Sequence, residues 1–224
     1  MTLDPLPAEN LADRVASSIR EAIHEGRYPP GKRLVERGLA AELGVSHIPI
    51  REALSKLAEE GLVEREPRRG SRVATLTHRE LDELCTLRVV LEQFVVGRVR
   101  ERLTPDGERE LRAMVAAMRA EAAAGDFQQV LRIDQRFHER LWEMADHDLV
   151  GELVTQLRSR IGAFLRAATA ALRPEELERH AATHDVLLDA ILATDPAVAQ
   201  AEMARHIEVA AGRIRASLPE AADE

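Results

Sequence analysis

The run PPGKRLVERGLAAELGVSHIPIREALSKLAEEGLVEREPRRGSRVA, residues 29–74, decides the fold of the N-terminal third. Pro29, Pro30 and Gly31 make a turn, and Glu36 to Leu43 reads as a short helix ended by Gly44. Ser46 stands where an N-cap belongs. The helix it opens, roughly residues 47 to 60, sets Ile50, Ala53, Leu54 and Leu57 on one inner face. Pro49 falls in the first turn, where a missing N–H costs no intrahelical bond. After Gly61, the strand-like stretches Leu62 to Arg65 and Arg72 to Thr75 flank the basic turn Glu66-Pro67-Arg68-Arg69-Gly70-Ser71, which makes a hairpin. Upstream, Leu11, Val15, Ile19 and Ile23 recur at spacings of four, an apolar helical face that Gly26 stops. Three helices and a hairpin describe a winged helix-turn-helix over residues 1–76.

Beyond Thr77, a fitting N-cap, the strand signals stop and Ala, Leu, Arg and Glu dominate. Six helices are predicted, over residues 78 to 103, 105 to 124, 126 to 145, 148 to 171, 174 to 193 and 196 to 217. Thr104-Pro105, Gly125-Asp126, Arg173-Pro174 and Asp195-Pro196 punctuate them. Such short connections favour an antiparallel bundle. The chain is therefore predicted to be mainly α, with an all-α second domain over residues 77–217 and a flexible acidic tail over 218–224.

Composition bounds what such a chain does. No apolar run approaches the roughly 20 residues that span a bilayer, and the start carries no basic and apolar leader, so a cytoplasmic protein without membrane contact is expected. The single cysteine, Cys85, sits within an apolar helical pattern and reads as a buried, inert thiol. The net charge of −8 belongs to the second half. Residues 1–76 hold 12 basic and 12 acidic side chains, and the rest hold 19 and 27. A balanced domain still binds phosphates when its basic groups share one face, because affinity follows the local field.

A helix, a tight turn at Leu43-Gly44-Val45 and a second helix from Ser46 is the geometry that lays the second helix in a major groove. Ser46, His47 and Arg51 project from its exposed face, Arg37 opens the preceding helix, and Arg68, Arg69 and Arg72 decorate the wing. Guanidinium groups suit both guanine readout and phosphate contact. The whole run resembles the DNA-binding domain of the GntR family of bacterial regulators over residues 10 to 75. The resemblance implies that Arg37, Ser46, His47, Arg51 and the wing around Gly70 contact double-stranded operator DNA. His47-Ile48 replaces the family's usual Arg-Thr at this point, so altered base preference is expected.

In the bundle, Asp134 and His138 lie four residues apart on one helical face and can converge on one ion. His184 precedes the core-facing Leu187, Leu188 and Ile191, and His206 adjoins Ile207, so both histidines border the apolar interior. Buried imidazoles need partners, and a cation with one carboxylate and three imidazoles provides them. This pattern resembles the FCD ligand-binding domain that accompanies the FadR branch of the GntR family, over about residues 78 to 216. HDVLLDAILATDPAVAQAEMARHI matches its last two helices, and the register favours His184 over His180, one turn earlier. The six-helix count resembles the shorter VanR-type subgroup. Imidazole-rich ligation suits a divalent transition ion, zinc first, with nickel, iron, cobalt or manganese as alternatives. The resemblance implies a homodimeric repressor responding to a small organic acid. Arg88, four residues before Glu92, either clamps that carboxylate or pairs with Glu92, and Arg158 and Arg160 are further effector candidates. Two other readings use the same ligand set: a repressor that senses the metal itself, and a metal-dependent hydrolase.

Overall fold

The computed structural model describes residues 11–66 and 70–218. The roles expected for Arg68, Arg69 and the acidic tail beyond Leu218 fall outside them. The chain divides into two compact units after Thr75.

In the first unit, α1 (Leu11–His24) buries Val15, Ile19 and Ile23 against α3 (His47–Glu59), whose Ile50, Ala53, Leu54 and Leu57 are fully buried. Between them, α2 (Glu36–Leu43) ends at Gly44, whose φ of 65° is the left-handed conformation that closes a helix and redirects the chain. Ser46 occupies the N-cap position of α3, but its side chain accepts no capping hydrogen bond, contrary to expectation. The third residue of that helix is Pro49, so one of the two amides an N-cap normally serves does not exist.

The wing also differs from its prediction. Its strands are β2 (Val63–Glu66) and β3 (Gly70–Val73), both shifted toward the hairpin tip. The Leu62 N–H bonds to the Leu57 carbonyl at the end of α3, while its own carbonyl accepts from the Ala74 N–H across the hairpin. A third strand, β1 (Arg33–Leu34), pairs antiparallel with β3, giving the order β1-β3-β2. Two residues hold no alternation, so β1 left no periodic signal in the sequence.

The second unit comprises α4 (His78–Arg102), α5 (Pro105–Ala123), α6 (Phe127–Ala145), α7 (Asp148–Ala170), α8 (Pro174–Leu192) and α9 (Pro196–Ser217). Thr77 and Glu80 form a reciprocal capping box that starts α4. Proline at the first position of α5, α8 and α9 fixes three more starts. His147 caps α7 by accepting the Val150 N–H on Nδ1. The core draws on all six helices, with Val96, Leu111, Phe137, Ile161, Leu187 and Ile207 each at most 1% exposed. Cys85 is buried within it, and burial pushes its thiol pKa up, away from the reactive thiolate. No described helix is long and apolar enough to cross a membrane.

Candidate functional site

Asp134 and His138 stand one turn apart on α6, His184 on α8 and His206 on α9, and all four are buried. One donor atom from each lies within 4.8 Å of the others. Donors about 2.1 Å from a common ion are at most about 4.2 Å apart, so a few tenths of an ångström of movement at each side chain closes the set.

The polar contacts around the cluster show which ring nitrogens face inward. His184 Nδ1 lies 3.3 Å from the His180 carbonyl, which can only accept, so Nδ1 carries a proton and a neutral ring presents a bare Nε2. That Nε2 is 2.9 Å from Asp134 Oδ1. Two lone pairs at this distance need a cation or a proton between them. His138 Nδ1 is 3.6 Å from Glu92 Oε2, an orientation that aims its Nε2 inward, where it meets His206 Nε2 at 3.3 Å. The donor set therefore fits a divalent transition ion. Phe137 packs edge-on against the rings of both His138 and His184, at 5.7 and 5.4 Å, and restricts their orientation.

A second layer of buried charge holds these groups. Arg88 donates to Glu92 Oε1 from Nε at 3.2 Å and Nη2 at 2.6 Å, while Trp142 Nε1 donates to Oε2 at 3.3 Å. Of the two readings of Arg88, the geometry supports pairing with Glu92. Arg158 pairs with Asp134 Oδ2, leaving Oδ1 toward the imidazoles. Arg160 is exposed. Burial opposes ionisation of Asp134, but Arg158 and His184 outweigh it and hold the carboxyl well below its ordinary range. Glu92 is treated alike: burial raises its pKa, while Arg88 and then His138 bring it far down. Burial, reinforced by Arg158, lowers His138, and burial with the neighbouring imidazoles lowers His206 strongly. Ionised carboxylates beside neutral His138 and His206 are the protonation states that metal ligation requires.

His180 is also buried, with Nε2 3.8 Å from Asp134 Oδ1, and burial brings its pKa to about 3. It stands beside the four-donor set without joining it. Its Nε2, His206 Nδ1 and Arg213 Nε are buried without hydrogen-bond partners among the described residues. Sequence reading passed over Arg213, although its position seven residues after His206 places it on the same face of α9.

On the first unit, Ser46, His47, Ile48 and Arg51 are exposed together at the start of α3, and Arg37 is exposed on α2. Arg51 Nε donates to Glu36 at 2.7 Å while its side chain stays 68% exposed. Gly70 opens β3 at a φ of 94°, a conformation open to glycine and strained for other residues. Arg72 is half-buried and bonded to Glu64 across the hairpin at 2.6 Å.

Comparison with known families places both units. The gntR family of bacterial regulatory proteins matches residues 11–73 and the FCD domain matches residues 83–209. The chain belongs to the GntR family. This GntR-family chain is 29% identical over 186 residues to the HTH-type transcriptional regulator McbR of Escherichia coli K12, covering 83% of the chain and 84% of that protein. It is 32% identical over 193 residues to the gluconate operon transcriptional repressor of Bacillus subtilis, covering 83% and 77%. The solved structure of E. coli McbR/YncC matches with a TM-score of 0.82 and 26% identity, over 93% of this chain and 99% of that one. GntR-family proteins with an FCD domain are transcriptional regulators rather than enzymes. The buried cluster of this regulator is accordingly a candidate binding site.

Proposed function

We propose that the chain is a homodimeric cytoplasmic repressor whose operator affinity is set by a small carboxylate bound at a metal site formed by Asp134, His138, His184 and His206. The observation that supports this reading most is the 2.9 Å approach of His184 Nε2 to Asp134 Oδ1 within a buried set of imidazoles. Asp134, His138, His184 and His206 would hold a divalent ion, zinc in the first instance, which would supply Lewis acidity toward an anionic oxygen. Arg158 orients Asp134, Glu92 orients His138, and Arg88 neutralises Glu92.

Charge favours an anionic effector. Asp134 with Arg158 and Glu92 with Arg88 are already neutral pairs, so a divalent ion adds two uncompensated positive charges to a buried site. Arg213, with no ion-pair partner among the described residues, adds to them. A carboxylate offsets that excess. The relative named for a gluconate operon makes gluconate the first acid to test.

Dimerisation is supported by an apolar face on the second unit. Leu87, Val90 and Phe94 of α4 are exposed by 49, 63 and 44%, and Phe94 packs edge-on against His147, beside the exposed Leu149 and Leu153 of α7. Two copies joined there would present paired α3 helices to a palindromic site. The effector then acts by favouring one spacing of the winged units, transmitted through residues 74 to 78. Six helices agree with a VanR-type subgroup.

The test uses the zinc-loaded full-length protein and an operator duplex selected from a random pool, read by fluorescence anisotropy at fixed salt. Gluconate and a panel of other small carboxylates are titrated in, with and without zinc. Zinc-dependent change in operator affinity on adding an acid supports the reading. Change on adding zinc alone, with no response to acids, replaces it with a metal-sensing repressor.

A further inference from the structure

Ile48 has the highest exposure among the exposed large apolar side chains of the described residues, at 69%. Single exposed apolar residues are ordinary on soluble proteins and need no explanation. Ile48 differs by its location. It is the second residue of α3, flanked by exposed Ser46, His47 and Arg51, while the opposite side of the helix is filled by Pro49, Ile50, Ala53, Leu54 and Leu57. At a solvent-facing helical position a β-branched residue gains no packing and is a poorer helix former than alanine. The helix does not need it there.

Resting on the operator-binding reading, we propose that Ile48 is a specificity-determining residue that reads a thymine through its 5-methyl group in the major groove. A sec-butyl side chain neither donates nor accepts a hydrogen bond. The thymine methyl is the one apolar substituent that base pairs display in that groove. The stiff χ1 of isoleucine keeps the ordering cost of such a contact small. The polar groups needed to hold the helix against DNA surround it: Arg51 is steadied by Glu36, and the Ser46 hydroxyl is not used in capping. Each half-site would then contain one thymine recognised by its methyl and not by a hydrogen bond to Ile48.

The experiment takes the operator selected by the full-length zinc-loaded protein and replaces each thymine in turn by deoxyuridine, which removes the methyl and leaves base pairing intact. Affinity is measured by anisotropy at fixed salt for the parent, Ile48→Val and Ile48→Ala, with circular dichroism confirming the fold of each. One symmetry-related thymine position is expected to lose about fourfold per half-site in the parent, the transfer value of one buried carbon. Ile48→Val should keep part of that sensitivity and Ile48→Ala none of it. If no position responds to methyl removal, or the response persists in Ile48→Ala, the proposal falls while operator binding stands. If no sequence is enriched from the pool, the operator-binding reading falls and this proposal with it.

Discussion

The two units use the same residue types under opposite dielectric conditions. In the winged unit, Arg51 pairs with Glu36 on the surface, where water screens both charges. In the bundle, Arg88 and Glu92 form the same kind of pair at 3% and 0% side-chain exposure. Histidine divides the same way: His47 is exposed at the start of α3, whereas His138, His184 and His206 are enclosed. Exposed pairs contribute about 1 kcal/mol or less, and their groups stay available to a partner. Buried pairs are costly to form and costlier to break, because removing one member strands the other. Surface charge therefore suits a reversible DNA contact, and buried charge suits a site with a fixed geometry.

The largest expected effect follows from stranding a charge. Glu92→Ala leaves Arg88 buried and unpaired and should cost about 3–5 kcal/mol in chemical denaturation, against about 1 kcal/mol or less for Glu36→Ala. Equal losses would erase the contrast between the units. Next, His184→Ala should abolish stoichiometric zinc by elemental analysis, weakening binding by more than the roughly 10–100-fold typical of an outer-layer partner. Effector-free operator affinity should remain, since the two sites share no residues. Arg158→Gln, which only orients Asp134, should fall within that 10–100-fold range by calorimetric titration while retaining one ion per chain.

Acid should weaken the metal-free protein. His138, His206 and His180 all have lowered pKa values when folded, so the unfolded chain binds more protons below about pH 6.5. Their contribution is intact above that pH and is lost as pH falls toward the folded values, about 3 for His180. Thermal unfolding between pH 7 and 5 should show stability falling by up to about 1.4 kcal/mol per pH unit for each imidazole. Stability that rises on acidification would mean that the folded rings are already charged, and a flat profile would mean that folding leaves their pKa values unchanged. The smallest effect belongs to the open surface: Arg37→Ala should reduce the salt dependence of operator binding by about one phosphate contact.

Much of this molecule was legible in its sequence because the signals were local. Gly44, Thr77 and the three helix-opening prolines mark boundaries through backbone sterics and capping, and the i, i+4 spacing alone puts Asp134 and His138 on one face. What escaped was non-local. Strand β1 exists only because β3 lies beside Arg33 and Leu34. At the base of the wing, the Leu62 N–H is taken by the Leu57 carbonyl at the end of α3, a partner that no strand pattern announces. Ser46 lost its capping role to a proline three residues on.

The sequence by itself determined the helices and the wing hairpin, their order, and the family to which they belong, since helical period, caps and turns are properties of neighbouring residues. Only the tertiary structure decided that Arg158 on α7 takes one oxygen of Asp134 and His184 on α8 approaches the other, that Glu92 on α4 turns His138, and that His180 stands aside. Those relations join side chains 24 to 50 residues apart, and burial, which gives buried charge its energetic weight, arises only when the helices close around them.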